Sequence, residues 1–263
     1  MDFKKSAGNW EGLAKADPLW SICTDPSKKG NKWEPDEFFS TGYDEMEVLF
    51  DYLFLKQFLP FDRDKALDFG CGAGRLSRAL TNYFSDVVGV DVSESMIKKA
   101  SELNIGISDK LSFIHNPSPD LKLFKSEQFS FIFSSIVLQH IPPANSEIYI
   151  SEFLRLLKPG GILIFQIPVS KTISPSLIQK IKTFIRFRER LAHLGIGKGY
   201  AMDMHCLDEE KIKNLVSSPK IQLLDIVESN HCVPDFNGKL VLGQNASQNS
   251  SYLSKVFIIN KKF

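Results

Sequence analysis

The sequence predicts an α/β fold: a mostly parallel sheet covered by helices on both faces. Three observations carry that prediction. From Lys65 onward, strand candidates at 65–69, 86–91, 111–115, 129–135 and 160–167 alternate with helical stretches near 75–84, 94–103 and 144–157. The first strand runs directly into Gly70-Cys71-Gly72-Ala73-Gly74, after which Leu76, Ala79 and Leu80 recur at helical spacing. Gly70 to Gly74, Asp91, Asn116 and Ser134 to His140 all follow strand ends, so they converge on one rim of the sheet, where such folds bind ligands.

Each element follows from its residues. Lys65 to Phe69 is a short apolar strand with Asp68 near its end. The glycine turn after it lets a ligand approach main-chain N–H groups at a helix N-terminus, because glycine has no Cβ in the way. Its spacing is G-x-G-x-G. A dinucleotide fingerprint wants the third glycine one position later, and that position is Arg75. Val87 to Asp91 is the second strand and also ends in an acid. Ser93 occupies the capping position of the helix that follows. Leu111 to His115 and Phe129 to Ser135 are the third and fourth strands. Leu154 to Ile164 reads as helix end, Lys158-Pro159-Gly160-Gly161 turn and fifth strand. Two more strand candidates, Ile221 to Val227 and Tyr252 to Ile259, flank an Asn/Gln/Ser-rich stretch that reads as a solvated loop.

The run Asp68-Phe69-Gly70-Cys71-Gly72-Ala73-Gly74 resembles the first motif of the class I S-adenosylmethionine-dependent methyltransferases, of the bacterial small-molecule type. Val87 to Asp91, Phe129 to Ile141 and Leu154 to Ile164 resemble the later motifs in the expected order. The resemblance implies a Rossmann-like, seven-stranded sheet whose last strand is antiparallel, with S-adenosyl-L-methionine as cofactor. It implies cofactor contacts at Asp68, Gly70, Cys71, Gly72, Gly74, Asp91, Val92, Met96, Asn116 and Ser135. Asp91 would accept the two ribose hydroxyls, as an acid does in dinucleotide sites. Met96 either faces the adenine or fills the core. Asn116 stands where relatives often have an acid, and its side-chain carbonyl can accept from an adenine amino group. Ser130 departs from the aspartate that many relatives carry in the fourth strand.

Composition sets bounds. With 263 residues and 43% apolar content the chain can bury a full core. A formal charge of +1 gives no electrostatic reason to expect nucleic acid. Ser134-Ser135-Ile136-Val137 also lacks the Asn/Asp-Pro-Pro-Tyr-like run of amino-methylating DNA enzymes. There is no apolar run of transmembrane length and no leader-like start, and four scattered cysteines suit a reducing compartment, so the expectation is cytoplasmic. Peripheral membrane contact and oligomeric state stay open.

Residues 1–62 are expected to form an N-terminal cap on a methyltransferase domain spanning 63–263, with a lid insertion at about 169–205. Trp10, Trp20 and Trp33, all in the cap, supply large apolar anchors. Glu45 to Leu59 should be an amphipathic helix. Phe39 to Gly42 is expected either to pack without touching ligand or to close over the methionine end of the cofactor. Within the lid, Ser176 to Leu194 carries an apolar stripe beside Lys180, Lys182, Arg186, Arg188 and Arg190. It reads as a lid with a solvated basic face, a pull on an anionic acceptor such as a phosphorylated or nucleotide-linked sugar, or a membrane-surface contact.

The expected reaction is methyl transfer to a small-molecule acceptor, on an oxygen of a sugar or other metabolite. A base is needed only where the acceptor must lose a proton. His140 and His205 are the candidates; His140 is open equally to a loop-bracing role. Asp203, His205 and His193 offer a metal reading that nothing in their spacing fixes, so no metal is expected. A cofactor-binding regulator or scaffold without transferase activity is the alternative class, and an NAD-dependent oxidoreductase is disfavoured by the glycine spacing.

Overall fold

A computed structural model describes residues 3–59, 62–107, 109–172, 202–233, 236–248 and 250–263. Three helices, α1 (Phe3–Ala16), α2 (Pro18–Ile22) and α3 (Pro35–Leu55), precede the sheet. Then come β1 (Lys65–Phe69), α4 (Arg75–Leu80), β2 (Asp86–Asp91), α5 (Glu94–Leu103), β3 (Leu111–His115), β4 (Phe129–Ser134), α6 (Pro143–Leu156) and β5 (Leu157–Lys171). The described chain ends with α7 (Glu209–Leu215), β6 (Ile221–Glu228) and β7 (Tyr252–Lys261).

The strands form one seven-stranded sheet in the order β3-β2-β1-β4-β5-β7-β6. Pairings from β3 to β5 are parallel, while β7 runs antiparallel to both β5 and β6. The expected Rossmann-like architecture is therefore the observed one. The order reverses between β1 and β4, which opens a crevice beyond their carboxyl ends.

Side chains alternate between the two faces, as a period of two requires. On β4 and β5, Ile132, Leu163, Phe165 and Ile167 pack with Tyr149, Phe153 and Leu156 of α6. Phe131, Phe133, Ile162 and Ile164 face the other way, onto Met46, Leu49 and Leu53 of α3 and Leu76 and Leu80 of α4. Both faces are covered, so the central strands are mostly apolar, with Asp68, Ser130, Ser134 and Gln166 as buried polar exceptions.

Two expectations need correction. The helix expected over 45–59 begins ten residues earlier, because Pro35 is a good first helical residue with its φ already set. Gly42 lies within α3, where a Cβ would stand 2.5 Å from the Arg75 carbonyl oxygen, so glycine there permits close α3–α4 packing. Phe39 is buried with Trp33 and Phe38, away from the cavity described below. The fifth strand, expected over 160–167, runs instead from Leu157 to Lys171, past the start expected for the lid insertion at about 169. Ser176 to Leu194 and His193 lie outside the described residues.

Candidate functional site

At the reversal point the chain turns sharply. Gly70 and Gly72 take φ of +75° and +52°, left-handed values that side chains other than glycine's resist. A Cβ at Gly70 would meet Val137 at 2.3 Å, and one at Gly72 would meet Ile22 at 2.6 Å. The turn abuts a cavity beyond the carboxyl ends of β1, β2 and β4. Every residue expected to contact the cofactor lines this cavity except Gly74, which stands at the start of α4 instead.

Asp91 faces the cavity with both oxygens already oriented. Gly72 N–H donates to Oδ2 at 3.0 Å and Ser93 N–H to Oδ1 at 2.8 Å. Each oxygen keeps a lone pair for a ligand. Burial holds this carboxyl above its ordinary value in spite of those donors. Asp68 is buried more deeply and accepts from Ser77 Oγ at 2.5 Å. Burial pushes it up to about 6, against the Ser77 hydrogen bond and the charge of Arg75. The Asn116 side-chain amide donates to the Asp120 carbonyl at 2.7 Å, while its Oδ1 accepts only a long 3.3 Å bond from Ser118 N–H. Met96 is 2% exposed, on the cavity wall.

The roof comes from the N-terminal helices. Phe3, Ser6, Ala7 and Trp10 of α1, and Ser21 and Ile22 of α2, line the cavity. Glu11 fastens α1 by accepting from Ser93 Oγ at 2.7 Å and from Ser95 Oγ at 2.5 Å. That places a carboxylate at the N-terminus of α5, where the helix dipole favours negative charge. Residues of α1 and α2 cover the cavity, whereas none of Phe39 to Gly42, for which the sequence left packing and closure both open, lines it.

A buried ionic cluster that sequence reasoning missed lies behind the cavity. Arg75, on the cavity wall, pairs with Glu45 of α3 at 2.7 Å. Burial alone would raise the Glu45 carboxyl, yet Arg75 and His231 hold it down to about 2. Its Oε1 accepts from Ser135 Oγ at 3.1 Å and contacts His231 Nε2 at 3.2 Å. A trace of this was present in the sequence: Glu45 falls on the apolar stripe of α3, with buried Phe38, Gly42, Leu49 and Leu53 at helical spacing. No local pattern announces Arg75 or His231 as its partners.

Neither candidate base lines the cavity. His140 is buried outside the cavity lining; its Nδ1 contacts the Asp203 carbonyl at 2.7 Å and its Nε2 the Gln139 amide at 3.1 Å. A carbonyl only accepts, so Nδ1 carries the proton and Nε2 accepts from the amide. Burial pushes the ring down to about 4, so it is neutral, and Trp10 sits edge-on against it. This geometry matches the bracing reading. The His205 N–H donates to the Gln139 carbonyl at 2.7 Å, and its buried Nε2 has no hydrogen-bond partner among the described residues.

Comparison with known proteins agrees with this geometry. Residues 67–165 match the family described as a methyltransferase domain. That stretch makes up 99 of the 263 residues and runs from β1 into β5. A ubiquinone biosynthesis O-methyltransferase from Bordetella avium is 31% identical over 101 residues, covering 38% of this chain and 41% of that protein. The chain therefore spans less than half the length of that relative. An S-adenosylmethionine-dependent methyltransferase from Clostridium acetobutylicum shares the fold at a TM-score of 0.54 and 14% identity, over 86% of this chain and 92% of that one. Magnesium protoporphyrin IX methyltransferase from Synechocystis, solved with bound SAH, gives 0.52 at 16% identity over 84% of each chain. The glycine turn, β2 and β4 all fall within the matched stretch.

Proposed function

We propose that the protein is an S-adenosylmethionine-dependent methyltransferase acting on an oxygen of a small molecule. The observation that carries this reading is the charge of the cavity. Asp68 and Asp91 both face it, whereas Arg75, its one cationic lining residue among those described, is neutralised by Glu45. Such a wall favours a cationic ligand and disfavours the phosphates of a dinucleotide. A sulfonium nucleoside with an ammonium group suits it. Asp91 would take the ribose hydroxyls, Val92 and Met96 would flank the base, and Asn116 Oδ1 would accept from its amino group. Asp68 would face the positive end. The O-methyltransferase relative supports an oxygen acceptor, and a sugar or other metabolite hydroxyl remains the proposed class.

When bound, the cofactor supplies an activated methyl group and its own leaving group. The chain's part is to align the acceptor and exclude water. The α1–α2 roof serves exclusion. Neither His140 nor His205 lines the cavity; His205, whose ring Nε2 has no hydrogen-bond partner among the described residues, is the group proposed to take an acceptor proton. Incubating the protein with labelled cofactor and fractionated metabolites, and following S-adenosylhomocysteine release, tests the proposal. Release that depends on a low-molecular-weight fraction supports it. Tight cofactor binding with no release from any fraction favours the regulator or scaffold reading instead.

A further inference from the structure

The backbone after β4 holds an unusual conformation at the cavity wall. Ile136 has φ of +61°. A β-branched residue resists this left-handed region, and such outliers persist only where the surroundings over-determine them. Ile136 lines the cavity, next to Ser135, which lines it too.

What holds it is visible one strand away. Gln166 of β5 is 2% exposed, and its Oε1 accepts the Ile136 N–H at 2.9 Å. The same side chain is fixed by its amide, which donates to Ser254 Oγ at 2.9 Å and to Gln139 Oε1 at 3.1 Å. A polar side chain on the interior of a parallel strand is costly to bury unless its hydrogen bonds are all used. Here they are used to grip one strained peptide from behind. Ser135 is held from the other side by Glu45, so the two consecutive wall residues are clamped by separate elements.

We propose that Gln166 is a positioning residue of the cofactor cavity, holding Ile136 in its left-handed conformation so that Ser135 and Ile136 present a fixed wall to the ligand. The inference rests on the cofactor reading above for the ligand but not for the strain. Glycine adopts φ near +60° at no steric cost, so a glycine at position 136 needs no grip. The two residues should therefore be coupled in a way that simple core packing would not produce.

The test is a double-mutant cycle of Gln166→Met and Ile136→Gly, read by thermal unfolding and by calorimetric titration with S-adenosylhomocysteine. In the native background Q166M is expected to weaken S-adenosylhomocysteine binding by about tenfold, the equivalent of losing one strained backbone placement. In the I136G background the same change should cost threefold or less (roughly, by the same reasoning) and should lower Tm less. Equal losses in both backgrounds, in affinity and in Tm, would overturn the proposal. Should the native chain bind no S-adenosylhomocysteine, the cofactor reading fails, and the Tm cycle still decides the grip by itself. If Q166M does not fold, Gln166→Glu, which retains the acceptor for Ile136 N–H, replaces it; the proposal then requires smaller coupling to I136G than Gln166→Ala shows.

Discussion

Replacing Glu45 by glutamine removes one charge from a pair that has almost no access to water. The Arg75 side chain is 3% exposed and that of Glu45 is 0%. After the change, Arg75 keeps only the Thr41 carbonyl at 3.2 Å and Thr41 Oγ1 at 3.4 Å as acceptors. Its Nε already has no partner among the described residues. Stranding a buried cation in this way costs about 3–5 kcal/mol. At about 2–4 °C per kcal/mol for a domain of this size, Tm should fall by roughly 6–20 °C. The introduced amide would still offer its oxygen to Ser135 and His231, so the loss comes from the charge and not from those contacts. The double variant Glu45→Gln with Arg75→Met removes the orphaned cation and should recover at least half of the loss. Urea and thermal melts of the native chain, both single variants and the double variant measure this. A Glu45→Gln protein within about 1 kcal/mol of native, or losses that simply add in the double variant, would refute a desolvated pair at the cavity wall.

Asp68 gives a pH signature with two opposite arms. Its carboxyl is raised to about 6 in the folded chain. Its contribution to stability is therefore full below the ordinary value near 3.8 and is lost as pH rises through about 6. Affinity for a cationic cofactor should run the other way and decline as pH falls through about 6. Asp68→Asn should flatten both trends in melts and titrations; trends that survive in that variant would assign them elsewhere. His205→Ala should lower kcat by about 10²-fold or more if His205 takes the acceptor proton, with folding intact. His140→Ala should instead lower Tm through the loss of the Asp203 and Gln139 contacts. A reversed pattern would exchange the two assignments.

Much of the fold was legible because its determinants are local. The bounds of β1, β2 and β3 follow from short apolar runs closed by glycine, acid or turn residues, and the structure reproduces them. Asp68, Gly70, Gly72, Asp91, Met96 and Ser135 share one cavity because each lies at or just beyond a strand end on the same rim. What the sequence could not show is long-range pairing. Ser135 and His231 are 96 positions apart, and Glu45 and Arg75 are 30 apart. Nothing in either neighbourhood specifies the other. The role of Phe39 to Gly42 stayed open for a related reason. Phe39 is apolar enough to cover a ligand, but it is equally suited to the small core it shares with Trp33 and Phe38, and helix packing decides between them. The grip of Gln166 on Ile136 joins a strand to a loop through one side-chain carbonyl, and a lone glutamine in an apolar strand does not say which N–H it will meet.

Titration of the native chain and of Asp91→Ala with S-adenosylhomocysteine tests the central claim most directly. Asp91 is the acid through which a ribose would be held, beside the Gly72 and Ser93 N–H donors that orient it. The native chain should bind one nucleoside per chain, and Asp91→Ala should bind it about 1–3 kcal/mol more weakly, roughly five- to 150-fold in Kd. No heat from the native chain at millimolar nucleoside, or an unchanged Kd in a folded Asp91→Ala protein, would contradict the account.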